Sequence, residues 1–542
     1  MALIAGAAAF AFGLALWIGA VCDDAGISLA YARNAAALEG LRLTPLSPRV
    51  EAYSNPLWTL WLALGFGVRA ARGDGALFAL VSGALCGGLA TLVIGLLPSR
   101  LRGDQPELMD ALAPWLLALD TTYACWNGAG LERGAFALVL ALSMLSIDRD
   151  WWLGGLLPLL RPEGPIYVAL LALARGRKLL RLRWWALATA PALAWLVFRL
   201  GYYGQWFPNA WYAKHGWDYG GWRYLREWFV DDRWHWVLLA APAALLAPRL
   251  RRTWLVAALP CLAAVAFVLV SRGDWMSEHR FVAHALPAAA LLAAQVPALL
   301  PRPRLRWAAA ALLLLVAALD LRARAPGRKA DPPLPLGYVE EQGRWFRGAA
   351  DRLGLTRPRI AHFDLGGVSL ESGGEAIDLA GLADLYIGRV GYQDQSRVRD
   401  YLLDDIKPEL INLHGPCAYI GDDPRFVRDY ALDATGIWGS NYLRKELRDG
   451  RDARCAPGVE AVRALTAEAL LARMAAPGDA RAVMDLWLCA RAHRPAEGMP
   501  DVRAVAARLA QGDSAAALEA AVTLDPTLTR AAQRLLALRL AR

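Results

Sequence analysis

The sequence is poor in the residues that build transition-metal centres and disulfide frameworks. It holds seven cysteines and seven histidines in 542 residues. With no C-x-x-C pair, zinc-type spacing or His/Cys cluster, the common zinc modules and a disulfide-dense scaffold are excluded. Cys417 and Cys455 can pair if the tail is extracytoplasmic, but their separation along the chain does not decide it. No glycine-rich nucleotide-binding loop occurs. The first apolar run, residues 2–21, lacks a basic flank and a small-residue cleavage site, so it reads as a retained span and not a signal peptide.

What the chain has is apolar surface. It is 56% apolar with 23 Trp and a mean hydropathy of +0.28, yet 20% of residues are charged. That combination reads as a membrane protein with a soluble part. Apolar runs of roughly 17 to 24 residues continue to about Leu321, each long enough for a hydrocarbon core of about 30 Å. After Arg322 the pattern stops. The net charge of +9 resides in short clusters between runs, at residues 175–183 (RGRKLLRLR), 249–252 (RLRR) and 302–306 (RPRLR). Such clusters mark the cytoplasmic side, so the charge reports topology and not a nucleic-acid partner.

From those clusters, Asp23 and Asp24, residues 201–233, residues 271–280 and everything after Arg322 fall outside. Segments 56–68, 76–97, 109–124, 135–147 and 151–174 admit two countings. In one, each spans once. In the preferred one, 56–68 lies along the outer interface and the run from 151 breaks at Arg161-Pro162-Glu163-Gly164. Prolines interrupt helix bonding, and charges at membrane depth need a protein-lined or water-lined cavity. The expected fold is mainly α: a polytopic helical membrane protein of about 11 spans with a C-terminal extracytoplasmic α/β domain. Residues 1–325 form the membrane domain, with residues 22–55 its first outer loop. Residues 330–457 form the α/β domain, in which RPRIAHFDLGGVSLES and KPELINLHG read as strands and RVRDYLLDDI and DPRFVRDYAL as helices or helix edges, as does YLREWF earlier in the chain at residues 224–229. Residues 458–542 have helical spacing and carry one partial tetratricopeptide-like unit, where solenoids need about three.

The chemistry concentrates in the first outer loop. Asp23 and Asp24 follow the first span directly. Alone, the pair reads as a polar stop or a helix cap. A carboxylate at a low-dielectric boundary can also take a proton from a hydroxyl. ISLAYARNAAALEG then reads as an amphipathic helix on the membrane interface.

The Asp-Asp pair, the run A-x-I-S-x-x-Y-A-R-N, the segment R-V-E-x-Y-S-N-P-L-W-T and a later R-P-E-G resemble C-type polytopic glycosyltransferases that use polyprenyl-phosphate sugars. The pattern is similar to that of mycobacterial terminal arabinofuranosyltransferases, within the wider class of protein mannosyltransferases and lipid A aminoarabinose transferases. The GLE of residues 130–132, YYGQWFPNAWYAK (202–214), GDWMSEHRFVAHALP (273–287) and IDLAGLADLYIGR (377–389) extend the likeness over roughly residues 1–415. Gly26 departs from it, standing where a bulky apolar residue is expected, and should loosen local packing.

The resemblance implies inverting transfer of a sugar, pentose or hexose, from a polyprenyl-phosphate donor to a glycan, lipid or protein hydroxyl on the periplasmic side of a bacterial inner membrane. The lack of a nucleotide loop agrees with a lipid-linked donor. By likeness, the base is Asp23, with Asp24 as its substitute. Lys214, Arg280, His279 and Arg161 are candidate partners of the donor phosphate, since Arg offers a fork and Lys a point charge. Tyr31, Arg33, Asn55, Glu132, Glu163, Asn209, Tyr212 and Asp274 are candidate substrate contacts, Asp274 alternatively a holder of Arg280. The aromatic stripe Trp206, Phe207, Trp211, Tyr212, Trp217, Tyr219 and Trp222 reads as an interfacial belt. No cofactor is expected, with a divalent cation at the acidic pair as the alternative. The competing readings are a transporter or flippase for a lipid-linked glycan and a non-catalytic envelope assembly protein.

Overall fold

The structure is a computed structural model that describes residues 1–68, 74–149, 152–214, 218–231, 233–391, 394–435 and 439–448. Cys455, Trp217 and the helical segment 458–542 lie outside the described residues. Met1–Tyr442 forms one compact unit and Leu443–Arg542 a second.

The chain opens with four helices: α1 (Ala2–Ile18), α2 (Asp23–Ala36), α3 (Pro56–Gly67) and α4 (Gly75–Arg102). Among the described residues, α4 and the helix Pro248–Ser271 are long and apolar enough to cross a membrane alone. Six shorter apolar helices accompany them, α1 and α3 included. Asp74 caps α4 by accepting the Leu77 N–H at 2.8 Å, and Arg100 and Arg102 close its last turn before Gly103 at φ 76°, as end chemistry requires. On one side α4 packs against α1 and the helix Arg133–Leu145. The crossing is tight enough that a Cβ on Gly134 would sit 2.1 Å from the Gly83 carbonyl oxygen, the small-residue contact that lets helices approach in lipid. On the other side Leu77, Val81, Leu85 and Leu89 form an exposed stripe at four-residue spacing. Leu312, Leu315 and Leu319, three and four residues apart, form a second exposed stripe on the helix Pro303–Ala330. Water would penalise such stripes; a lipid surround accounts for them.

The run entering residue 161 does break. The short helix Leu157–Leu160 stops at Arg161, whose backbone is extended, and a new helix starts at Gly164 with Pro165 in its first turn. Proline tolerates that position because its missing N–H has no intrahelical partner there.

The α/β portion holds strands β1 (Arg359–His362), β2 (Glu375–Asp378), β3 (Leu410–Leu413), β4 (Tyr430–Thr435) and β5 (Ser440–Arg444), in sheet order β2-β1-β3-β5-β4. β1 runs parallel to β2, with Arg359 opposite Glu375 and His362 opposite Asp378, and parallel to β3, with Ile360 opposite Leu410. Ala361, Ile377, Ile411 and Leu413 belong to its core. β1 and β3 are the strands read from the sequence. The stretch DPRFVRDYAL divides into a helix, Pro424–Asp429, and β4. Cys417 is a buried free thiol.

Two expectations change. α2 is not an interfacial helix: it lies between α3 and the helix Gly366–Glu371, and most of its residues are buried, including Asp23, Ser28, Tyr31 and Asn34. Its polar side chains bind neighbouring backbone, as when Asn34 Nδ2 donates to the carbonyls of Arg42 and Leu43 at 3.0 and 2.9 Å. Gly26 also does not loosen the packing. A Cβ there would lie 2.9 Å from Gly366 backbone and 2.6 Å from Leu336 Cδ1, so the missing side chain is what lets α2 touch the α/β portion.

Candidate active site

α2 ends α1's course with a tight connection. The Leu336 N–H donates to the Val21 carbonyl at 2.8 Å and the Asp23 N–H to the Leu334 carbonyl at 2.9 Å. That fixes where the two carboxylates begin. Successive residues of a helix are about 100° apart, so Asp23 and Asp24 point in different directions.

Asp24 points into a cavity of about 700 Å³ whose wall also carries Ser28, Asn55, Glu132, Arg133, Arg161, Glu163, Lys214, Asp274 and Arg280. Ile166, Phe207, Trp211, Phe267 and Val270 make its apolar side. Its centre is Arg280. The Arg280 guanidinium donates to Asp24 Oδ2 at 2.5 Å from Nη1, to Asp274 Oδ1 at 3.0 Å from Nη2, and to Asp274 Oδ2 from Nε. Arg280 and Asp274 are each 4% exposed while Asp24 is 29% exposed, so Asp24 is the carboxylate of this group that a substrate can reach. Burial would raise its pKa, but the cations of Arg280 and Lys214 outweigh burial and hold it below the ordinary carboxylate value.

A second cluster stands beside it. Arg161 donates to Glu163 Oε1 at 2.7 Å and to Glu132 Oε1 at 3.0 Å, and Asn55 Nδ2 donates to Glu132 Oε2 at 2.6 Å. Asn55 Oδ1 in turn accepts from Ser28 and Thr59, both at 3.1 Å. Arg133, absent from the residues singled out in the sequence, meets His284 Nδ1 at 3.0 Å and lies 3.6 Å from Glu132. The signal was available: Arg133 follows Glu132, and His284 stands four residues, one helical turn, after Arg280. The two clustered arginines are thus committed to carboxylates. Lys214 is different. It lines the cavity and, among the described residues, its ammonium has no ion-pair partner. Enclosure and the nearby Arg280 charge pull its pKa below that of an ordinary lysine.

No family model and no curated protein matches the sequence. Solved structures do match. ArnT from Cupriavidus metallidurans bound to undecaprenyl phosphate is 13% identical with a TM-score of 0.52, over 81% of this chain and 97% of that one. Its apo form gives 0.51 at 12% identity. The Archaeoglobus fulgidus oligosaccharyltransferase tethered to an acceptor peptide gives 0.50 at 13%, over 81% of this chain and 73% of that one. The chain shares the backbone fold of these structures. At these identities the likeness concerns the backbone arrangement, not donor or acceptor.

Within that fold the residues expected from the sequence separate into two groups. Asp24, Asn55, Glu132, Arg161, Glu163, Lys214, Asp274 and Arg280 converge on the cavity, Asp274 as the holder of Arg280. The others do not reach it. Asp23 accepts the N–H groups of Gly367 at 2.7 Å and Gly366 at 3.1 Å and is 2% exposed, so the preference for Asp23 over Asp24 as the cavity carboxylate is reversed. Tyr31 turns its hydroxyl to the Val50 carbonyl. Arg33 donates to the carbonyls of Leu370 and Ser369 at 2.9 and 3.3 Å. Asn209 Nδ2 is spent on the carbonyls of Gly381, Leu382 and Asp384 at 2.8–3.2 Å, joining two motifs far apart in sequence. Tyr212 lies under Arg389, 3.3 Å from ring centroid to guanidinium carbon. His279 stands in a separate cleft, 3.6 Å from Asp231. Asp23, Tyr31, Arg33 and Asn209 thus satisfy buried or part-buried polar partners, as burial of polar groups demands.

Proposed function

We propose that the chain is an inverting glycosyltransferase that moves a sugar from a polyprenyl-phosphate donor to an acceptor hydroxyl. The observation that carries this reading is Asp24, an accessible carboxylate held by Arg280 in a cavity that also presents the uncommitted Lys214 ammonium and an apolar wall. One chamber so built suits a negatively charged headgroup with a greasy tail. The acceptor O–H gives its proton to Asp24, the acceptor oxygen bonds to the anomeric carbon from one side, and the bond from that carbon to the phosphate oxygen breaks on the other. The electron pair leaves with the phosphate, whose added charge Lys214 meets, with the Arg280 and Arg161 guanidiniums beside it.

The same reading places residues 1–325 in a bacterial inner membrane as a domain of about 11 spans and residues 330–457 in the periplasm. It makes the reaction independent of a metal cofactor. By the motif likeness, the donor is a pentosyl or hexosyl polyprenyl phosphate and the acceptor a hydroxyl of a cell-envelope glycan, lipid or protein. The reading is tested with purified protein, radiolabelled polyprenyl-phosphate pentoses and hexoses, and envelope glycan. Transfer with release of polyprenyl phosphate supports it, whereas movement of intact donor across a vesicle membrane without release contradicts it in favour of a flippase.

A further inference from the structure

α2 carries two functional faces. Asp24, Ile27 and Ser28, at i, i+3 and i+4, line the cavity. Asp23, Gly26 and Arg33 fall on an adjacent face, at i, i+3 and i+10, within one arc of the helix. That second face grips a single short helix of the α/β portion, Gly366–Glu371, at both ends. Asp23 accepts the first two N–H groups of that helix, from Gly366 and Gly367, and Arg33 donates to its late carbonyls, Ser369 and Leu370. Between them Gly26 lies against Gly366 with no room for a methyl on either. The free backbone groups of a helix end need partners; here both ends find them on α2.

The gripped helix is itself anchored. It follows β1 through a loop in which Asp364 bonds His414 Nε2 at 2.9 Å, and His414 Nδ1 reaches Asn412 of β3 at 2.5 Å. A continuous set of contacts therefore runs from the sheet to the helix that presents Asp24.

We propose that this grip makes Asp23 and Arg33 positioning residues: through it the α/β portion sets the rotation and depth of α2, and so the approach of Asp24 to Arg280. The inference rests on the functional reading above, with Asp24 as base. Asp24 is faced by Arg280, Lys214 and Arg133, with Asp23 next to it on its own helix. If the grip loosens, Asp24 moves off Arg280 and loses the cation that keeps it ionised.

The test measures the kcat–pH profile, the donor KM and thermal unfolding for wild type, Asp23→Asn, Arg33→Gln, the double variant and Asp24→Asn. The probe is a radiolabelled polyprenyl-phosphate sugar, read as polyprenyl phosphate released. Asp23→Asn and Arg33→Gln are each expected to lower kcat about 10- to 100-fold with the donor KM within about twofold, and to move the acid limb of kcat upward. The double variant should be little worse than the poorer single one, because both act on one contact, and Arg33→Lys should restore part of the loss.

An unmoved acid limb with a loss matching a smaller folded fraction would reduce the grip to simple stability and overturn the proposal. So would wild-type kinetics in both variants, or an inactive Asp23→Asn beside an unaffected Arg33→Gln, which would give Asp23 the chemistry itself. Undiminished transfer by Asp24→Asn would instead sink the functional reading.

Discussion

At the residue scale the site turns on which charges are already matched. Arg280 and Arg161 each serve two carboxylates, so removing either strands buried negative charge and is expected to cost several kcal/mol of stability as well as activity. Lys214 has no such duty. Lys214→Met is therefore expected to leave the unfolding temperature within a few degrees while raising the donor KM roughly 10-fold, the scale of a charge-assisted phosphate contact. Steady-state kinetics with circular-dichroism melting separates the two effects.

Asp23 supplies a pH prediction with a definite sign. Burial, then the neighbouring Asp364 carboxylate, push it up to about 8 against the pull of the two glycine N–H groups. A carboxyl whose folded pKa lies above its unfolded value stabilises the fold below the unfolded value and loses that contribution as pH rises through the folded one. Wild-type melting temperature should fall as pH rises from about 4 to about 8 and level off above that. Asp23→Asn, less stable at pH 7 for want of one N–H acceptor, should show a flatter profile. A parallel fall in both proteins would remove Asp23 as the cause.

At the element scale, glycine contacts decide how closely α2 approaches the α/β portion. A Cβ on Gly366 would lie 1.9 Å from the Asp23 carbonyl oxygen, and backbone offers no flexible end to swing away. Gly366→Ala should destabilise by about 2 kcal/mol or more and remove transfer activity. Gly337→Ala, where no atom stands within 4 Å, should change neither; chemical denaturation of the pair checks it.

This is also the scale at which the sequence was least legible. Apolar runs located the long apolar helices Gly75–Arg102 and Pro248–Ser271, and Pro162 and Pro165 located the break at Arg161, because those signals are local. That α2 is buried and not interfacial was hidden: its partner helix lies more than 300 residues away, and its polar residues bond to backbone that the chain order does not place nearby. The same holds for Asn209, Tyr212 and Arg33, whose partners come from distant loops. Arg280, Asp274, Lys214 and Arg161 were legible as charges in segments that the basic clusters assign to one side. Which of two adjacent carboxylates faces them was not, since a single helical step of about 100° decides it.

At the scale of the whole molecule, exposed leucine stripes on α4 and on Pro303–Ala330 fit a lipid surround, and the α/β portion packs against α2 through Gly366 and Gly367. Transfer should persist in excess EDTA, since the cations invoked are side chains; loss on chelation with recovery by one added divalent ion would replace that account with a metal-assisted one.

The central claim is that Asp24, not Asp23, takes the acceptor proton, and the most direct measurement is single-turnover transfer by Asp24→Asn with saturating polyprenyl-phosphate sugar. The account predicts a rate loss of about 10² to 10⁴, the usual contribution of a general base, with donor binding retained. A turnover rate near that of the wild-type protein would contradict it.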